Sequence, residues 1–337
     1  MKALVCNAPL HLRIEDRADP VRGADDVLVR IRRVGLCGTD YHIYRGTQPF
    51  LSYPRLIGHE LAGEIVAAPP GFALKPGATV TINPYLACGH CVACRRNRPN
   101  CCVNIRVLGV HTDGGMCDLI AVPATSVVDA QGLTLDQAAM VEFLAIGAHA
   151  VRRAATVRGA RVLVTGAGPI GVATAMFARI AGAETVTFLD TRASRLDFVH
   201  HRLGFDRGIL ADAAATRLLA ERTDGDMFDV VFDATGSIHA MRAGLQHVAH
   251  AGTYVLVGLC KEDLVFPDPE FHKRETTLLA SRNALSDDFD HVIASIRNGA
   301  IPTDVLHTHS LTLAEAPEHI PALIADADRV MKAIVTL

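Results

Sequence analysis

Two rhythms of apolar residues divide the chain. Up to about residue 147 they come in short runs, such as Val27-Leu28-Val29-Arg30-Ile31 and Ala78-Thr79-Val80-Thr81-Ile82, parted by stretches rich in Gly, Pro and Cys. Such runs predict an irregular, mostly β domain with long loops. From about 148 to 285 the pattern becomes strand, helix, strand, helix. Arg161-Val162-Leu163-Val164-Thr165 leads through a glycine turn into a helical stretch, Ile170 to Ala181, and Thr185-Val186-Thr187-Phe188-Leu189 ends in Asp190. Phe228-Asp229-Val230-Val231-Phe232 and Thr253-Tyr254-Val255-Leu256-Val257 continue the series. This alternation predicts an α/β domain built on a parallel sheet with helices on both faces. The remaining stretch, 286 to 337, holds a helix and the strand Ala333-Ile334-Val335-Thr336, and is expected to return to the first domain.

Composition narrows the function classes. A chain of 337 residues, half of them apolar, exceeds the size of one core and fits two domains. Charged residues make up 20%, with a net charge of −3, so no polyanionic partner is implied. The densest basic run, Arg95-Arg96-Asn97-Arg98, lies within a cysteine-rich loop. The first residues lack the apolar core of a signal peptide, and no run approaches the ~18 apolar residues of a membrane span. Nine cysteines without a secretory signal point to reduced thiols or metal ligands and to a cytoplasmic protein.

Three constellations carry chemistry. Cys88, Cys91, Cys94 and Cys102 stand close enough in one loop to wrap a tetrahedral Zn²⁺ in a closed, structural sulfur shell. Cys101 adjoins Cys102, and adjacent cysteines rarely reach one metal without strain, so Cys102 is the expected ligand. A nucleic-acid zinc ribbon is disfavoured by the acidic balance and by the loop's place inside a larger domain. Cys37-Gly38-Thr39-Asp40-Tyr41-His42 and Gly58-His59-Glu60 offer a second site. Cys37 and His59 supply sulfur and nitrogen, and Glu60 or Glu142 a carboxylate, which leaves the open position of a catalytic zinc. Asp40 is the carboxylate expected to fix the His59 imidazole.

The third constellation is Gly166-Ala167-Gly168-Pro169-Ile170-Gly171, between an apolar strand and a helix. Gly166 permits the turn, Gly168 lets a pyrophosphate approach the backbone, and Gly171 lets helix and strand pack closely. Asp190 ends the next strand, where a carboxylate accepts from ribose hydroxyls and repels a 2′-phosphate; NAD is therefore expected over NADP, with Arg192 and Arg195 following.

With these motifs in this order, the chain resembles the zinc-containing medium-chain dehydrogenase/reductase family over essentially its whole length. The resemblance implies a Rossmann doubly wound parallel sheet domain (148–285) binding NAD. It also implies a GroES-like, mostly β catalytic domain (1–147 and 286–337) with one catalytic and one structural zinc. It implies a proton relay through Thr39 and His42, cofactor contacts that include Ile170, Arg195, Val257 and Lys332, and a homodimer or homotetramer. The stretches 47–55, 109–115, 267–273 and 280–283 look most like the sugar-acid and polyol branch. That implies oxidation of a secondary alcohol of a hexonate, at C5, with His111, Arg282 and Asn283 as candidate substrate contacts. A polyol dehydrogenase, an L-threonine 3-dehydrogenase and a catalytically silent relative are the rival readings; the joint presence of Cys37, Thr39, His59 and a carboxylate favours an enzyme. In one departure, the proline usual after the glutamate matched by Glu142 is replaced by Phe143.

Overall fold

In the computed structural model, which describes residues 1–337, the long strand Asp26–Leu36 is the spine of the first unit. Its inward residues are Val27, Val29 and Ile31 in the first half but Val34 and Leu36 in the second. A register shift between Ile31 and Arg33 causes this change of parity, because one extra residue turns every later side chain to the opposite face. The strand pairs with Glu60–Ala67, Leu119–Pro123 and Lys332–Thr336, all antiparallel, in a seven-stranded sheet. Leu4, Val29, Val34, Leu61, Val80, Ile120 and Val335 fill the core against it. The register sets Gly35 opposite Glu60 on one side and Ile334 on the other. Residues far apart in the chain, Cys37, Glu60 and Lys332, are thereby gathered at one end of three adjacent strands. A two-stranded ladder, Tyr85–Leu86 with Arg106–Val107, closes the base of the cysteine loop.

The second unit is an all-parallel six-stranded sheet. Its order is Ile209–Leu210, Thr185–Asp190, Arg161–Thr165, Phe228–Asp233, Val248–Leu256, Thr277–Ala280. The chain leaves Arg161–Thr165 toward Thr185–Asp190 and later returns to its other side at Phe228–Asp233, which makes the carboxyl end of Arg161–Thr165 a topological switch point. Leu163, Leu189, Phe228, Val231 and Tyr254 form its core. The two units comprise Met1–Phe143 with Ala284–Leu337, and Leu144–Asn283. No helix is long and apolar enough to cross a membrane.

Candidate active site and metal centres

Cys37 caps the helix Gly38–Arg45. Its Sγ accepts from the Thr39 amide at 3.5 Å, and Asp40 Oδ2 accepts from the Cys37 amide at 3.0 Å, a reciprocal capping box. Asp40 is fully buried, and its Oδ1 accepts from the Gly58 amide at 3.3 Å while lying 3.8 Å from His59 Nδ1. One carboxylate therefore ties the start of the helix to the segment that presents His59. Ligand atoms of Cys37, His59 and Glu60 lie within 4.8 Å of one another. Burial opposes a charge on His59, yet Asp40, Cys37 and then Glu142 outweigh it and hold its proton affinity well above the ordinary range. A field that draws a proton to this ring also draws a divalent cation. One sulfur, one nitrogen and one oxygen donor are the three-ligand set that suits a catalytic Zn²⁺, whose fourth position takes water or substrate.

Lys332 requires a correction. Expected to touch the cofactor, it is 1% exposed and donates to Glu60 Oε1 and Oε2, each at 2.7 Å, and to the Leu36 carbonyl at 3.1 Å. Its ammonium also stands 4.1 Å from the centre of the Phe143 ring. All three N–H groups are used inside the protein, so none remains for a dinucleotide. Gly35 makes room for this pair: a Cβ there would lie 2.1 Å from Glu60 Oε2. Phe143, in the usual place of a proline, supplies the aromatic face under the ammonium.

Glu142 stands in the first turn of the helix Val141–Arg153, 1% exposed and outside the tight Cys37–His59–Glu60 group. Burial pushes its carboxyl up to about 7, against the pull of His59. Oε1 accepts from the Tyr85 hydroxyl, and Oε2 is buried without a hydrogen-bond partner. Tyr85 belongs to none of the sequence motifs; its one signal is its position three residues ahead of Cys88, at the neck of the metal loop.

The cysteine loop brings its four candidate ligands together. The sulfurs of Cys88, Cys91, Cys94 and Cys102 lie within 4.8 Å of one another, and Cys101 points out to solvent. Backbone N–H groups converge on the sulfurs: Cys88 N donates to Cys102 Sγ at 3.2 Å, and those of Cys94 and then Val103 draw the Cys91 thiol down to about 6, while burial pushes the adjacent Cys94 thiol up to about 11. Amides aimed at sulfur favour thiolates, the form a tetrahedral zinc requires.

In the second unit, Gly166 takes φ +96° and a Cβ on Gly171 would lie 1.8 Å from the Gly166 carbonyl oxygen. At Gly168 a Cβ would meet nothing within 4 Å, so the backbone lies open on that side. Gly168 caps the helix Pro169–Ile180 without a side-chain partner, which leaves amides for an anionic group. Asp190 braces the turn: Oδ2 accepts from the Ala167 amide at 2.6 Å and Oδ1 from that of Arg192 at 2.8 Å. Each oxygen keeps a lone pair for a hydroxyl donor. Ile170 is half-buried in the first helical turn, Arg195 is buried, and Val257 follows the strand Val248–Leu256, its amide donating to the Asp233 carbonyl at 2.8 Å. This cradle fits a dinucleotide pyrophosphate.

The remaining candidates differ in exposure. Thr39 is half-buried, and His42 is exposed with Nδ1 2.8 Å from Thr47 Oγ1. His111 Nδ1 accepts from the Val107 amide at 3.1 Å, which puts the proton of the neutral ring on Nε2, and the ring stacks on Phe50 with centroids 6.0 Å apart. Arg282 is exposed and Asn283 half-buried at φ +54°, just beyond the last strand of the second unit.

A β-rich unit with a three-donor metal cluster and a zinc-type cysteine loop, joined in one chain to a Rossmann unit, defines a metal-dependent dehydrogenase. Residues 23–132 match the alcohol dehydrogenase GroES-like domain, and residues 169–298 match the zinc-binding dehydrogenase family. The chain belongs to the zinc-containing medium-chain alcohol dehydrogenase family. It is 42% identical to the L-galactonate-5-dehydrogenase of Escherichia coli K12, over 100% of this chain and 99% of that one. Sorbitol dehydrogenase of Bombyx mori is 31% identical over 99% of this chain and 97% of its own. Among solved structures, an alcohol dehydrogenase (rspB) from E. coli CFT073 complexed with NADH superposes with a TM-score of 0.93 at 28% identity, covering 100% of this chain and 99% of that one.

Proposed function

We propose that the chain oxidises a secondary alcohol of a sugar acid to a ketone, with NAD as acceptor, as a homodimer or homotetramer. The observation that carries this reading is the 42% identity to a hexonate dehydrogenase along the full length of both chains. Zn²⁺ supplies a Lewis acid that lowers a substrate hydroxyl's pKa by several units, and NAD supplies the hydride acceptor. Cys37, His59 and Glu60 hold the metal, and Asp40 keeps the imidazole oriented. Thr39 and His42 are three residues apart on one helical face, so a proton accepted beside the metal site has a path to an exposed imidazole. The glycine turn and Asp190 hold the dinucleotide.

The test is a panel of hexonates, hexitols and L-threonine assayed with NAD. The expected result is the highest kcat/KM with a hexonate oxidised at C5; a preference for a hexitol would make this a polyol dehydrogenase. Arg282 is assigned to the substrate carboxylate, because a guanidinium meets a carboxylate through two parallel hydrogen bonds. Arg282→Ala is expected to cost acids about 1.5–3 kcal/mol, roughly ten- to a hundredfold in kcat/KM, and to spare a neutral polyol. Equal losses with both would make Arg282 structural.

Asp190 predicts strong preference for NAD over NADP. Asp190→Gly is expected to narrow the kcat/KM ratio, since it removes the charge that repels a 2′-phosphate and leaves Arg192 and Arg195 nearby. A parent enzyme already favouring NADP would overturn this assignment.

A further inference from the structure

Two buried carboxylates, Glu60 and Glu142, differ in how the structure places them relative to the three-donor cluster. Glu60 lies within the ligand cluster, its charge balanced by Lys332. Glu142 stands outside that cluster, buried, with one oxygen bonded to the Tyr85 hydroxyl and the other unpartnered. His59, Glu60 and Lys332 all act electrostatically on Glu142, and Cys37 and Glu60 on Tyr85, so both side chains belong to the same neighbourhood. Tyr85 is itself firmly placed. Its amide donates to Asn83 Oδ1 at 3.1 Å, it pairs with Val107 across the neck ladder, and the Pro84 carbonyl accepts from the Leu108 amide at 3.1 Å.

We propose that Tyr85 is a positioning residue that tethers Glu142 and holds it off the catalytic zinc, which keeps the fourth coordination position free for the substrate hydroxyl. The proposal rests on the zinc-site reading given above. A buried carboxylate with no donor is costly, and a nearby cation is the most favourable partner it can find. With the phenol in place, one oxygen is satisfied and its direction is set by a side chain anchored in the neck ladder. Without the phenol both oxygens lack a donor, and the carboxylate relaxes by closing onto the metal. It then competes with the substrate for the open position.

The comparison is of the parent, Tyr85→Phe, Glu142→Gln and the double variant, each loaded with zinc. Tyr85→Phe removes only the hydroxyl, and Tyr85→Leu serves as second variant should the first not accumulate as folded protein. Three quantities are read: zinc release to a chromogenic chelator, the visible spectrum after Co²⁺ replaces the catalytic zinc, and the separate values of kcat and KM. The expected result for Tyr85→Phe is about tenfold slower release of the faster-leaving zinc, a shifted cobalt spectrum, and KM raised about tenfold with kcat changed much less. The double variant is expected to return to the release rate, spectrum and KM of Glu142→Gln alone, since an amide makes a poor zinc ligand. Faster release from Tyr85→Phe would overturn the tether, because the phenol would then be holding Glu142 onto the metal. Losses that simply multiply in the double variant would also overturn it, as Tyr85 would not be acting through Glu142. A parent that holds only one zinc would instead refute the catalytic-site reading itself.

Discussion

Cys37→Ala is expected to abolish turnover, by a factor on the order of a thousand or more, in a chain that still folds and keeps one zinc where the parent keeps two. Two independent groups of ligand atoms imply close to two ions per chain, and only one group contains Cys37. The loss of activity is large because Lewis-acid stabilisation of developing negative charge is worth several kcal/mol. The loss of stability is small. Cys37 Sγ caps the helix Gly38–Arg45 through a single long contact, and removing such a cap costs about 1 kcal/mol. Cys91→Ser inverts the pattern. The cysteine lobe contains only the four-residue helix Val92–Arg95, a short 3₁₀ turn and the neck ladder, so metal binding is its main source of folding free energy. That variant is expected to lose solubility and melt earlier. Elemental analysis, melting temperature and kcat measured together separate the two sites. A Cys37→Ala protein with two zinc ions, or a Cys91→Ser protein as stable as its parent with undiminished metal, would reverse the assignments.

Local motifs made most of the architecture legible. The strand–turn–helix of Arg161–Ile180 announces itself because Gly166 and Gly171 answer steric demands and Gly168 leaves the backbone open, all within six residues. The cysteine lobe does so because its ligands lie within 15 positions of one another, from Cys88 to Cys102. Relations set by strand register were not legible. Lys332 meets Glu60 across 272 residues only because Ala333 pairs with Leu36 and Gly35 with Glu60. Tyr85 meets Glu142 across 57 residues, a contact between a short ladder and a helix start that no local motif announces. The change from proline to Phe143 was visible as a departure, but its consequence, a ring under a buried ammonium, needed the fold.

That buried pair leads to the second large effect. Lys332→Met keeps an unbranched apolar stem one atom shorter and removes the charge, which strands the fully buried Glu60 carboxylate without its counterion. Breaking one partner of a buried pair typically costs 3–5 kcal/mol. At about 2–4 °C per kcal/mol for a unit of this size, the melting temperature is expected to fall by roughly 6–20 °C. The depth of the fall should depend on the metal. A zinc ion beside Glu60 offers the stranded carboxylate a second cation, so the loss should be smaller in zinc-loaded protein than in protein whose catalytic zinc has been removed by a chelator. Adding Glu60→Gln to Lys332→Met removes the unpaired charge and is expected to recover part of the loss in the metal-depleted protein, where no zinc shares the carboxylate. Thermal unfolding of the parent, the single variant and the double variant, each in both metal states at one scan rate, checks all three statements. A Lys332→Met protein that melts within two or three degrees of the parent in both states would mean that Glu60 finds other partners, and the pair would not be the anchor of this end of the sheet.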